Sequence, residues 1–252
     1  MRLVFLFVFL RGVLGLENRS IEADCFDFPK RSFSTTNCVK CTYGASPHIP
    51  VSVGDNISPQ LQALTLSTAS GSSWKSLGTE TSGKISVLIW GMWTCPAFQG
   101  LGTGGSPPFD ECSYRDEYDL VETYANKGVR FIHLIGPEPH PITPDVNFDS
   151  GKQLMNYWST IAQPKTWDDR LQVAQRTAAL IHPRSLTLVD PLADAPTQHK
   201  EGTEGFKNQP TWCTLGLGAR TAILIDQHGT VQFTQDWFRK SDLANALDTL
   251  LK

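Results

Sequence analysis

The sequence predicts an α/β fold, with a mixed central sheet, flanking helices and an irregular Cys-containing segment ahead of them. Three observations carry this. Short apolar runs rich in β-branched residues alternate with helical periodicity from residue 85 onward, as strand–helix–strand crossovers require. The last two runs stand as a hairpin, which is antiparallel by construction. An amphipathic helix then closes the chain. At 252 residues, 40% hydrophobic, with 7 Trp and 13 Phe, the chain can bury a sizeable core. Its net charge of −3 comes without any basic block, so nothing points to nucleic acid or an anionic membrane surface. A small molecule or a protein reductant is the expected partner.

The chain begins with Arg2 and the apolar stretch from Leu3 to Leu10, broken by Arg11. A spanning helix needs about 20 apolar residues, so residues 1–15 fit a signal peptide ending at small Gly15. A short membrane anchor is the alternative. Sequons at Asn18 and Asn56 agree with a secretory route, lumenal or extracellular, and a glycoprotein. Residues 16–81 read as an irregular segment with Cys25, Cys38 and Cys41, then a Ser/Thr/Gly-rich linker over 61–84. The compact domain is expected over 82–252.

The sequence holds 6 Cys, some of which an oxidising compartment would pair. Three precede the first strand of the domain and three, Cys95, Cys112 and Cys213, lie beyond it. Cys38 and Cys41 form a CxxC pair without a second ligand pair, which favours a disulfide over zinc. No metal site and no tightly bound cofactor is expected.

The first strand of the domain is Ile85-Ser86-Val87-Leu88-Ile89, ending at Gly91; Pro96 then suits the first turn of a helix. Cys95 sits between them. Backbone N–H groups at a helix start favour thiolate over thiol, which makes Cys95 the candidate nucleophile. The alternative is a small buried hydrophobe. The glycines of residues 100–108 lack phosphate-loop spacing and read as an insertion. A helix follows over 114–126, with Tyr114, Tyr118, Val121 and Ala125 as its apolar face and Gly128 as its C-cap.

The second strand runs from Val129 to Gly136 with His133 as a core histidine. Pro137-Glu138-Pro139-His140-Pro141 stands at its end, where chemistry collects in an open α/β sheet. His140 can pair with a thiolate or move a proton near neutral pH; an exposed loop histidine is the alternative. Thr166 caps a helix with Asp168 and Asp169 in its first turn. The third strand is Leu186 to Asp190, where Asp190 and Asp194 frame a turn. Residues 221–233 form the hairpin, and Ser241 is expected to cap the last helix, Asp242 to Leu251. Strand, Cys, helix, strand, helix, strand, hairpin and helix, in that order, are the thioredoxin-like layout.

Thr94-Cys95-Pro96-Ala97-Phe98 resembles the active-site segment of the iodothyronine deiodinases, where Thr, selenocysteine, Pro, Pro and Phe succeed one another. Glu138-Pro139-His140-Pro141 is similar to that family's Glu-Ala-His-Pro, and Asp169-Arg170-Leu171 to its Asp-Arg-Leu helix. The resemblance covers residues 83–252. It implies a thioredoxin-like redoxin that removes iodine reductively from an aromatic ring, with a thiol co-substrate and as a homodimer. Cys95 would attack the halogen, His140 would give the proton or hold the thiolate, and Glu138 would orient His140, with Thr94 beside the nucleophile. Trp93 stands where the family has a second cysteine, so Cys112 or Cys213 would resolve Cys95.

Three functions compete. The first is a Cys-dependent deiodinase-like oxidoreductase acting on an iodinated aromatic. The second is a thiol peroxidase or thiol–disulfide oxidoreductase, and the third a secreted, non-catalytic binding protein with an inert Cys95. A Cys95 pKa near or above about 8.5, the free value, favours the third.

Overall fold

The computed structural model describes residues 51–57, 59–100, 111–139, 161–192, 195–196, 211, 215, 219–235 and 238–252. The signal segment 1–15, the sequon at Asn18, Cys25, Cys38, Cys41, the insertion core at 101–110, His140, Asp194 and Cys213 lie outside them. In chain order the elements are α1 (Pro59–Gln62), β1 (Thr65–Thr68), β2 (Trp74–Ser76), α2 (Leu77–Thr81), β3 (Ser86–Trp90), α3 (Pro96–Gln99), α4 (Tyr114–Tyr124) and β4 (Arg130–Ile135). They continue with α5 (Trp167–Ala178), β5 (Leu186–Val189), β6 (Ala222–Ile225), β7 (Val231–Gln235) and α6 (Lys240–Leu250).

The strands form one sheet in the order β2-β1-β5-β4-β3-β6-β7. β3 pairs parallel with β4 and β4 parallel with β5, while β6 runs antiparallel to both β3 and β7. The set β4-β3-β6-β7, two parallel strands joined by a helical crossover and a hairpin leading to a helix, is the thioredoxin-like arrangement. β3 lies between β4 and β6, and every residue of it is buried. That explains its unbroken apolar run in place of an alternating one.

Two expectations are corrected at the N-terminal side. The supposed linker over 61–84 folds: β1 and β2 make a hairpin on the far edge of the sheet, with β1 antiparallel to β5. Leu64, Leu66, Ser67 and Leu77 are all buried. A Ser/Thr-rich strand is held by its ladder, and Ser67 turns its hydroxyl onto the Thr68 carbonyl at 3.0 Å. The domain also starts before residue 82, since Val51 is buried and Gly54 donates to the Val231 carbonyl at 2.8 Å. The β1–β5 pairs of this stretch join residues far apart in sequence, so local composition misleads.

Two helices differ in detail. α4 buries Glu117, Leu120, Val121 and Tyr124, and Tyr118 is exposed, because Ser113 caps the helix through a capping box with Asp116 and fixes its rotation. α6 has Arg239 as N-cap, and Ser241 lies inside the first turn with its backbone N–H on Glu111 at 3.0 Å. The cap at Thr166 stands where the sequence places it; Gly128 caps the 3-10 turn Ala125–Lys127 that follows α4, and α4 itself ends on Ala125.

Candidate active site

β3 delivers the chain to Gly91, and the position has to be glycine. A β-carbon there would collide with the His133 ring, the Arg220 guanidinium and the Phe98 ring. Four residues on, Cys95 is the N-cap of the single-turn helix α3, with Pro96 at its first position. Its backbone N–H returns to the Met92 carbonyl at 3.1 Å. The Cys95 side chain makes no capping hydrogen bond, although the Phe98 and Ala97 N–H groups act to lower its thiol pKa.

The expected ionised thiol is nevertheless corrected. Cys95 is fully buried in the apolar core, and burial pushes its thiol up to about 11. The helix N–H groups and the Arg220 charge pull the other way and lose, while Glu138 adds a smaller upward push. One turn of helix has too few aligned peptides to outweigh desolvation of a thiolate.

Glu138, beyond the end of β4, is also fully buried. The sequence assigns it to orienting His140. His140 lies outside the described residues, and the two Glu138 carboxyl oxygens accept the backbone N–H groups of Trp93 at 3.2 Å and Thr94 at 2.6 Å, so Glu138 holds the loop that presents Cys95. Buried Thr94 adds its side-chain hydroxyl to the same carboxyl. Burial raises the Glu138 carboxyl, against the pull of the Thr94 donors and Arg170. The Gln163 side chain brackets the Glu138 backbone, accepting its N–H at 3.0 Å and donating to its carbonyl at 3.2 Å.

Arg170, from the Asp-Arg-Leu motif, is buried between the charges of Asp190 and Glu138. Asp190 in turn accepts the Thr211 N–H at 3.0 Å. The ends of β3, β4 and β5 thus meet at one cluster of acid, base and thiol.

Cys112 stands on the segment entering α4. It is buried in the same core as Cys95, and burial pushes its thiol up to about 12. Charge on Cys95 pushes it further. The segment packs on α3: a β-carbon at Gly100 would touch Ser113, and the Phe98 and Tyr114 rings lie 5.7 Å apart. Both cysteines are unpaired thiols. Of the expected site residues, Cys95, Thr94 and Glu138 come together with Cys112; His140 and Cys213 lie outside the described residues.

Sequence reasoning missed Arg170, Arg220 and Glu117. The signal for Arg220 was present, since it lies two residues before an apolar strand, where a charge needs buried partners. His133 is the core histidine expected, with Nδ1 2.7 Å from Glu117 and Nε2 3.1 Å from the Gly91 carbonyl.

No family model matches the chain, and no curated protein is similar to it in sequence. Among solved structures it is similar to a thioredoxin domain of a thiol-disulfide oxidoreductase from Bacteroides vulgatus (11% identity, TM-score 0.45, 80% of this chain and 99% of that one). It is also similar to a protein described as a thiol:disulfide interchange protein, DsbE, from Chlorobium tepidum (15%, 0.44, 80% and 99%). A hypothetical protein from Sinorhizobium meliloti matches at 12% and 0.46, over 80% and 85%. At such identities a likeness concerns the fold alone, and here the strand order carries the fold by itself.

Proposed function

We propose that this chain is a thiol–disulfide oxidoreductase acting as a reductant, with Cys95 as the attacking thiol and Cys112 as the resolving one. The observation that carries the reading is the placement of two unpaired thiols in one core, on segments packed against each other at the head of a thioredoxin-like fold. The raised Cys95 thiol favours the inert binding protein; against it stand a second unpaired thiol, Cys112, in the same core and the buried Glu138 carboxyl that holds the Trp93 and Thr94 backbone.

The chemistry balances as two exchanges. Cys95 sulfur attacks a substrate disulfide, forms a mixed disulfide and releases one thiol. Cys112 sulfur then attacks Cys95, closes the Cys95–Cys112 bond and releases the second thiol. Two electrons pass from the dithiol to the substrate, and an external thiol reductant restores the pair. Burial is what favours the reducing direction for this pair. Both thiols are pushed up, so their thiolates are disfavoured and the reduced form gains no ionic stabilisation. Oxidants of this fold owe their strength to a stabilised reduced form; this pair is its opposite. Cys95 has no exposed surface, so this reading requires the chain that covers it to open before a substrate disulfide can reach the sulfur.

Reductive deiodination is a narrower reading of the same pair: the iodinated ring takes hydrogen for iodine, Cys95 leaves as a sulfenyl iodide, and a second thiol displaces iodide to form a disulfide. It is favoured by Glu138 of the Glu-Pro-His-Pro segment holding the backbone of Trp93 and Thr94. One assay separates these readings. The whole protein is offered glutathione disulfide, hydrogen peroxide or an iodinated phenol, each with dithiol reductant. Turnover of glutathione disulfide that disappears in Cys95→Ala, with glutathione trapped on Cys95 in Cys112→Ala, supports disulfide exchange. Iodide release or peroxide loss as the main activity moves the assignment to dehalogenation or peroxidase chemistry. No Cys95-dependent turnover of any of the three leaves a binding protein.

A further inference from the structure

Arg220 lies two residues before the start of β6 and its side chain is fully buried. All three guanidinium nitrogens are engaged. Nε donates to the Cys112 carbonyl at 2.8 Å, and Nη1 to the Trp90 carbonyl at 2.7 Å. Nη2 donates to the Ser113 carbonyl at 3.3 Å and to Glu117 Oε2 at 3.1 Å. Phe98 and Phe238 lie against the guanidinium, with ring centroids 5.1 and 4.8 Å from its carbon. Trp90 ends the strand that leads to Cys95, and Cys112 is the other thiol. One rigid, planar cation therefore spans the two segments that carry the pair.

A second tie runs beside the first. The other oxygen of Glu117 is 2.7 Å from His133 Nδ1, and His133 Nε2 is 3.1 Å from the Gly91 carbonyl. A carbonyl only accepts, so Nε2 carries a hydrogen there. Trp90 and Gly91, consecutive residues at the end of β3, are thus gripped by two basic side chains that share one carboxylate. Burying these charges costs several kcal/mol per ion in general, so stability does not account for them. Geometry does: the fork of Arg fixes angles as well as distance, which an ammonium cannot.

We propose that Arg220 is the positioning residue of the thiol pair: by tying the Trp90 carbonyl to those of Cys112 and Ser113, it sets the separation of Cys95 and Cys112, with Glu117 and His133 holding it in place. This deepens the reading of Cys95 and Cys112 as a redox couple and rests on it. Arg220 does not touch substrate and acts through the backbone of both segments.

The test is the equilibrium between the Cys95–Cys112 disulfide and glutathione, measured on the whole protein by acid quenching and mass spectrometry. Arg220→Lys keeps the charge and loses the fork. It is expected to weaken the disulfide against glutathione by about tenfold or more while Cys95 still forms its glutathione adduct. Glu117→Gln is nearly isosteric, guards against a variant that does not fold, and is expected to shift the equilibrium the same way. A folded variant of either kind with the wild-type equilibrium overturns the positioning role and leaves the couple intact. A wild-type protein that forms no Cys95–Cys112 disulfide overturns the couple, and the positioning role with it.

Discussion

Glu138 accepts the Thr94 backbone N–H at 2.6 Å and the Trp93 N–H at 3.2 Å, so a carboxyl from the end of β4 holds the residues that lead into Cys95. Glutamine at this position has one accepting oxygen, and its amide would face an N–H. Glu138→Gln is expected to cost about 1–3 kcal/mol of stability by chemical denaturation. The charge that pushes the Cys95 thiol up is also removed, so the Cys95 alkylation profile should move to lower pH. A profile unchanged in a folded variant would show that the carboxyl and the sulfur do not sense each other.

The Cys95 thiol, pushed up to about 11 by burial, gives a direct kinetic signature. Iodoacetamide modification of Cys95, followed by peptide mass spectrometry in Cys112→Ala, should climb through pH 7–10 without reaching a plateau, since the thiolate fraction rises about tenfold per pH unit below the pKa. A plateau by pH 8 would mean that the helix N–H groups and Arg220 win over burial after all.

Gly91 is surrounded on its free side by His133, Arg220 and Phe98. None of the three can retreat cheaply, because two are fixed in the buried hydrogen-bond set and Phe98 is fully buried. Gly91→Ala is therefore expected to destabilise by about 3 kcal/mol or more, at the severe end for one methyl group. Thermal melting with a loss below 1 kcal/mol would show that the strand end is looser than its contacts imply.

These outcomes mark where the sequence was readable. The order of strands and helices from residue 85 onward followed from local patterns, because β3 is a plain apolar run and α5 begins at a Thr cap with two acidic residues behind it. The hairpin of β1 and β2 was not readable. Its Ser/Thr-rich strand β1 is held by pairing to β5, more than a hundred residues away, and β2 pairs only with β1. Likewise Thr94, Cys95 and Glu138 could be named from motif order, whereas the partners of the buried Arg220 and Glu117 could not. Arg220 and Glu117 matter through each other, and they are 103 residues apart. The protonation of Cys95 was misjudged because a helix start is visible in a sequence and the depth of burial around it is not.

The turn of the closing hairpin gives a pH test with a definite sign. Asp226 Oδ1 accepts the N–H groups of His228 at 2.8 Å and Thr230 at 2.9 Å, and Oδ2 the Gln232 amide at 2.7 Å. These donors, stronger together than the burial that opposes them, hold its carboxyl below the ordinary 3.8. A depressed folded pKa stabilises the protein above the unfolded value, and the gain is lost as pH falls through the folded one. Asp226→Asn should melt below wild type at pH 7, with the gap closing below pH 4. A gap constant from pH 7 to pH 3 would exclude the carboxylate as its source.

Whether Cys95 and Cys112 act as one couple is reached most directly by a single measurement. The whole protein is oxidised mildly with glutathione disulfide, its remaining thiols are blocked, and the linked peptides are mapped by mass spectrometry. A Cys95–Cys112 cross-link that forms, and that dithiol reductant reverses, is the predicted result. Cys95 and Cys112 both recovered as blocked thiols, with the protein folded and glutathione disulfide in excess, would contradict it.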